Sequence, residues 1–272
     1  MSDYRDLPLG KQTDYPDQYD PGQLCPIPRA KGRSLLAAPT LSMQGSDLWN
    51  AYEVSWLDAS GKPQVACGQF VFPASSPNMV ESKSFKLYLN SLNQTRFENP
   101  EALAAILEKD LSQVAQAEVA AELLLPDRWS SRFAVAEPEG ESLDELPLLQ
   151  VANEPRVELL QATGERGEKH YFSNLFRSCC PVTGQPDWAT VEIALAGELP
   201  DASSLLTYLT SFRQNNEFHE QCVERIFSDL SQRFELETLT VFARYTRRGG
   251  LDINPLRSSD SSAQPFQRLA RQ

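Results

Sequence analysis

At 272 residues the chain is long enough for one large domain or two ordinary ones. Its 37 acidic against 25 basic residues give a formal charge of −12 and a pI near 4.7, a balance that repels a phosphate backbone and argues against nucleic acid as a partner. Met1-Ser2-Asp3-Tyr4-Arg5-Asp6 shows no basic-then-apolar leader pattern and no long apolar run follows, so a soluble, cytoplasmic protein without a membrane span is expected.

Five cysteines (Cys25, Cys67, Cys179, Cys180, Cys222) form an odd set without CxxC spacing, and the histidines are only His170 and His219. Reduced thiols and no bound metal are the expectation. No GxGxxG and no GxxxxGK[ST] occurs, so neither a Rossmann domain nor a P-loop is supported.

Residues 1 to 40 are rich in Pro, Tyr, Asp and Gly, which rules out long regular elements there. Leu48 to Leu57 and Val65 to Phe72, joined by Asp58-Ala59-Ser60-Gly61-Lys62-Pro63, predict a β-hairpin. Phe85, Tyr88, Leu89 and Leu92 then fall at helical spacing, with Ser84 as the expected N-cap. Lys83 and Lys86 stand at the entrance of that helix, where the dipole disfavours cations; an anion docked between them would explain their presence. Asn99-Pro100 opens a second helix with Leu103, Ile106, Leu107, Leu111 and Val114 as its apolar stripe. Val119 to Leu125 reads as a strand or as that helix's end. The acidic run from Glu137 to Glu145 reads as a solvated connection, dividing the chain into modules of residues 1–150 and 151–272.

The second half repeats the order: strands near Val157 to Thr163, Tyr171 to Arg177 and Trp188 to Leu195, helices near Ser203 to Gln214 and Phe218 to Gln232, and a strand from Leu236 to Tyr245. Between them, Cys179-Cys180-Pro181-Val182-Thr183-Gly184-Gln185-Pro186-Asp187-Trp188 holds a thiol pair, a turn and a carboxylate. Pro181 pushes Cys180 into extended space, and Gly184 and Pro186 break the chain again, so Cys180 is a candidate nucleophile on a loop. Asp187 shares the face of Ala189, Val191, Ile193 and Leu195 and enters on the buried parity. Desolvation favours the neutral form of a carboxyl, the property a proton donor requires. His219-Glu220 occupies the first turn of a helix whose buried stripe is Phe218, Cys222, Ile226 and Phe227. The polar tail after Ser258 is expected to be mobile.

These segments together resemble the NADPH-dependent 7-cyano-7-deazaguanine reductases, the nitrile reductases of queuosine biosynthesis. The likeness lies in the cysteine loop, in Glu81-Ser82-Lys83-Ser84-Phe85-Lys86-Leu87-Tyr88, in the opening Leu9-Gly10-Lys11-Gln12-Thr13 through Pro28-Arg29, and in Arg244 to Pro255. The opening resembles that of the long, two-module form, which implies an ordered arm. The resemblance implies an α+β fold of tandem tunnelling-fold modules, antiparallel sheets with paired helices on one face, assembling into a barrel. It implies Cys180 as nucleophile and Asp187 as proton donor, with Cys179 an extra neighbour that the motif does not require. It further implies Glu81, His219 and Glu220 as substrate-holding residues, with His219 also a proton partner. NADPH is then the co-substrate, met by Ser82, Lys83, Ser84 and Lys86; Arg247 and Arg248, with Gly249, either reach its phosphates or solvate a strand end. A homodimer is expected, because two modules per chain leave sheet edges that need partners. The competing readings are a metal-dependent pterin or purine enzyme resembling GTP cyclohydrolase, for which the chain hardly supplies ligands, and a non-catalytic oligomeric binding module.

Overall fold

The computed structural model describes residues 15–36, 38, 42–263 and 267–272. The chain separates into two units: one takes the residues up to Lys31, Asp47–Ala134 and Arg247–Ile253, the other Gly32–Ser46, Val135–Thr246 and Asn254–Gln272.

The proline-rich opening makes a 3-10 turn at Pro21–Gln23, strand β1 (Pro26–Pro28) and helix α1 (Arg29–Arg33). It is ordered by specific bonds: the Gln94 amide donates to the Asp17 carbonyl (3.0 Å), the Asn90 side chain to the Pro16 carbonyl (2.8 Å) and the Tyr19 hydroxyl to Asp110 (2.7 Å). Leu9-Gly10-Lys11-Gln12-Thr13 lies outside the described residues. The expected hairpin is β2 (Ser46–Leu57) and β3 (Pro63–Pro73). Asp58 makes its turn by accepting from the amides of Ser60 (2.9 Å) and Lys62 (3.0 Å). Strand β4 (Asn78–Val80) pairs antiparallel with β1, and helices α2 (Ser82–Ser91) and α3 (Pro100–Ala115) follow. The Val119 to Leu125 ambiguity resolves as strand β5 (Ala120–Leu124), antiparallel to β3, before a single turn of helix, α4 (Trp129–Arg132). The sheet runs β5-β3-β2, and Phe85, Tyr88, Leu103, Leu107 and Leu111 lay the helices on Trp49, Phe70 and Phe72. Each such fully buried side chain stabilises the unit by about 1.5–3 kcal/mol.

One expected cap is corrected. Helix α2 begins at Ser82, and the cap is Glu81, not Ser84: its two carboxylate oxygens accept from the amides of Lys83 (2.9 Å) and Ser84 (2.7 Å). Glutamate is a less usual cap than serine, which is why the sequence pattern pointed three residues too far along.

In the second unit the acidic run is more than a solvated connection. Glu141–Ser142 forms β6, parallel to β7 (Ala162–Ser173), and Leu143 is fully buried. Gly140 (φ +99°) allows this approach, since a Cβ there would stand 2.3 Å from the His170 carbonyl oxygen. Two expected strands near Val157–Thr163 and Tyr171–Arg177 are replaced by a 3-10 turn at Val157–Leu159, the single long β7 and a short β8 (Arg177–Cys179). After β9 (Pro186–Pro200) come α5 (Ala202–Thr210), a 3-10 turn at Ser211–Gln214, α6 (His219–Arg233), β10 (Leu236–Tyr245) and β11 (Leu251–Ser258). The order is β11-β10-β9-β7-β6, with β8 on β9, and α5 and α6 cover β9 and β10 through Leu205, Tyr208, Cys222 and Ile226.

The sequence pattern did not suggest β11, because Asp252, Asn254, Pro255 and Arg257 hide any alternation; all eight of its residues are buried. Its polar groups have partners, as with Arg257, which donates to Glu224 at 2.9 Å. The expected mobile tail is corrected for its last residues only. Leu269 and Gln272 are buried, and the Gln272 amide donates to the Asn254 side chain at 2.7 Å. The architecture is thus α+β with antiparallel-rich sheets, and no described helix is long and apolar enough to cross a membrane.

Candidate active site

Strands β8 and β9 pair with Ser178 opposite Asp187 and Cys179 opposite Pro186, which makes residues 180–185 the connecting turn. Two bonds hold it: the Cys180 amide donates to the Gln185 carbonyl and the Gly184 amide to the Cys180 carbonyl, each 2.9 Å. Gly184 takes φ +70°, which its missing Cβ permits. Cys180 therefore sits where the turn begins, 3% exposed. Cys179 is bound into the frame instead: its amide donates to the Asn215 carbonyl (2.8 Å) and its thiol to the Arg213 carbonyl (3.7 Å). An isolated bridge between Cys179 and Asn216 ties the turn to the segment that leads into α6.

Asp187 is 4% exposed at the head of the inward face of β9, as its parity predicted, with Ala189, Val191 and Ile193 behind it. His219, the first residue of α6, places Nε2 3.4 Å from Asp187 Oδ1. The imidazole lies flat on the Tyr245 ring, centroids 3.7 Å apart and planes within 7°. Tyr245 is fully buried; burial, and then the neighbouring Cys222 and Asp187, push its ionisation well above the ordinary range and keep it a neutral phenol. Burial likewise pushes the Cys222 thiol up, so that sulfur stays protonated and inert, unlike an activated nucleophile. Glu220 follows at 3% exposure in the first turn of α6, where the helix dipole favours an anion.

Four of the expected residues, Cys180, Asp187, His219 and Glu220, thus belong to the second unit, and Asp187 and His219 are in contact. The fifth, Glu81, belongs to the first unit and is fully buried as the α2 cap. Burial raises its pKa, opposed by the Lys83 and Ser84 amides and by the charges of Lys86 and Lys83. The anion that the paired lysines called for is, in part, Glu81 itself. Ser84 is buried too, donating to the Glu81 carbonyl (2.7 Å) and accepting from the Cys25 amide (3.0 Å), while Ser82, Lys83 and Lys86 are partly exposed.

Beside α2 the first unit holds a cavity of about 760 Å³ lined by Glu53, Lys86, Asn90, Gln94, Gly249 and Gly250, among others. Both glycines have positive φ, and a Cβ on Gly249 would lie 2.8 Å from Lys86 Nζ, so glycine is what lets the lysine reach across. Arg247 stacks on the Tyr52 ring at 4.4 Å, and the Arg248 amide donates to the Leu251 carbonyl (2.8 Å). Arg244, the first arginine of that run, is buried against Glu192 at 2.9 Å. Sequence reasoning singled out neither Glu53, which lines this cavity, nor Tyr245, which stacks on His219. An exposed Glu in a strand carries no signal, and Tyr245 reads as an ordinary core aromatic.

Residues 15–123 match the family described as nitrile reductase, 7-cyano-7-deazaguanine-reductase N-term, and residues 186–264 match the one described as QueF-like protein. The chain is 54% identical over 268 residues to the NADPH-dependent 7-cyano-7-deazaguanine reductase of Bordetella bronchiseptica, covering 97% of this chain and 98% of that one. Proteins of the same name from Dechloromonas aromatica and Desulfotalea psychrophila are 51% and 48% identical, over 95% and 98% of this chain and 92% and 97% of theirs.

Proposed function

The chain belongs to the NADPH-dependent 7-cyano-7-deazaguanine reductase family, and from that premise we propose that it reduces the nitrile of 7-cyano-7-deazaguanine to the aminomethyl group, in queuosine biosynthesis, through a thioimidate on Cys180. The Cys180 thiolate adds to the nitrile carbon while Asp187 delivers a proton to the nitrogen, where negative charge builds. When bound, NADPH supplies a hydride to that carbon in each of two reductions. Between them the carbon–sulfur bond breaks, Cys180 leaves as thiolate, and His219 relays the protons that accompany the hydrides. Nitrile to amine is a four-electron change, so two NADPH are consumed per amine. The contact of Asp187 with His219, on a strand that leaves the Cys180 turn, is the observation that carries this reading.

Glu81 and Glu220 accept the N–H groups of the base; a carboxylate oxygen that already takes one backbone amide keeps a second lone pair for another donor. When bound, the cofactor's phosphates would be held by Lys86 and Gly249, which line the cavity, with Lys83, Ser82, Arg247 and Arg248 as further donors. The units assemble as tunnelling-fold modules into a barrel, in a cytoplasmic homodimer that covers the open sheet edges.

The test is intact-protein and peptide mass spectrometry after incubation with the nitrile base but without NADPH. The mass of the base should appear on Cys180 and disappear in Cys180→Ala. An adduct on Cys179, or a consumption of one NADPH per amine, would overturn the mechanism.

A further inference from the structure

A catalytic imidazole is ordinarily oriented by a hydrogen bond on its second ring nitrogen. His219 lacks that device: its Nδ1 is buried and has no hydrogen-bond partner among the described residues, and its Nε2 faces Asp187. With one polar contact the ring is free to turn about its bond to Cβ. The flat face of Tyr245, 3.7 Å away and within 7° of parallel, removes that freedom.

Tyr245 is itself held from several sides. It is paired in register with Ala189 of β9, its amide donates to Asn254 Oδ1 (3.2 Å), and the same oxygen accepts the Gln272 side chain (2.7 Å). Phe176 packs edge-on to its ring at 6.2 Å and 87°. A ring face also tolerates a positively charged imidazolium, so the stack stays favourable when His219 takes up a proton.

Resting on the reading of His219 as the proton partner, we propose that Tyr245 is the positioning residue of the site, and that it acts through the plane of its ring and not through its hydroxyl. Neither its bulk nor its polar end is the functional part; the flat surface is.

Three variants test this. Tyr245→Met fills the space without a plane and should lower kcat by about 10–100-fold, the scale of a misplaced catalytic group, a larger factor than any rise in KM for the nitrile base. Tyr245→Phe restores the plane and should return kcat to the parent's order of magnitude. A Tyr245→Met enzyme with parent kcat, or a Tyr245→Phe enzyme as slow as Tyr245→Met, would overturn the proposal. His219→Ala separates the two readings: if it turns over normally, the proton role falls and this proposal with it, whereas a slow His219→Ala beside a fast Tyr245→Met sinks the Tyr245 role alone. Should Tyr245→Met fail to fold, proton NMR decides. The His219 Cε1 proton, assigned against His170→Gln, should be shifted upfield by the ring in parent and Tyr245→Phe, and an unshifted signal in both would overturn the stack.

Discussion

The helix pair of the first unit and that of the second are built on the same bonds. Glu81 caps α2 and Asp201 caps α5, and three residues on Ser84 and Ser204 each return a hydroxyl to the cap carbonyl at 2.7 Å. Those serines accept the amides of Cys25 (3.0 Å) and Gln161 (3.1 Å), whose carbonyls take the amides of Glu81 (2.9 Å) and Asp201 (2.8 Å). Tyr88 donates to Asp110 across its pair (2.7 Å) and Tyr208 to Asp229 across the other (2.6 Å). The units diverge at the hairpin turn and at the start of the second helix. Asp58–Lys62 in one is matched by the turn from Cys180 to Gln185 in the other, and Pro100-Glu101, with Glu101 exposed, by His219-Glu220, with Glu220 buried. The lysines of α2 have Ser203 and Leu206 as counterparts in α5. The proposed nucleophile and the proposed His219-Glu220 pair thus fall where the two frames differ, while Glu81 serves as a cap within the shared frame.

If chemistry resides in the divergent turn, Cys180→Ala should lower nitrile-dependent NADPH oxidation by roughly 10³-fold or more, as nucleophile removal does elsewhere. Cys179→Ala, a change in the frame, should leave turnover within the same order as the parent. Asp187→Asn should cost about 10²–10⁴-fold in turnover, the range of a lost general acid, while calorimetry finds the base still bound. Equal loss of binding and turnover would move Asp187 from chemistry to recognition.

The shared frame predicts parallel stability losses. Asp229→Ala strands one buried tyrosine hydroxyl and should destabilise by about 1–3 kcal/mol in thermal or urea melts. Asp110 takes the hydroxyls of both Tyr88 and Tyr19, so Asp110→Ala should cost more; equal losses would mean that the arm adds nothing. Lys86→Ala should raise KM for NADPH, and added salt should do the same in the parent enzyme. The smallest effect concerns pH. The folded pKa of Glu81 lies above its ordinary value of 4.5, chiefly through burial, so the folded state binds its proton more tightly than the unfolded state. That contribution is present below the ordinary value and is lost as pH rises through the folded one. Parent stability measured against Glu81→Gln should therefore fall over that window, and a rise would contradict the burial assigned to this carboxyl.

The hairpin and both helix pairs were legible in the sequence because side-chain periodicity and caps are local signals. Asp187's burial followed from the parity of Ala189, Val191 and Ile193 alone. The cap at Glu81, the replacement of two expected strands by a turn, the long β7 and the short β8, and the strand character of β11 were not legible. Glutamate competes poorly with serine as a cap on average, Gly164 lets one strand continue through an apparent break, and the polar residues of β11 are satisfied by partners far away in sequence. The stack of Tyr245 on His219 joins two elements, and no local pattern could signal it.

The first unit closes only when Arg247–Ile253 joins it: the amide of Tyr52 donates to the Gly250 carbonyl (2.9 Å), and Asn50 and Tyr52 donate to the Asp252 carboxylate at 2.7 and 2.6 Å. A ribosome releases those acceptors only after Val135–Thr246 of the second unit. The first unit must therefore wait, incomplete, until most of the second unit has been made, reversing the usual order in which the first part to emerge is the first to finish.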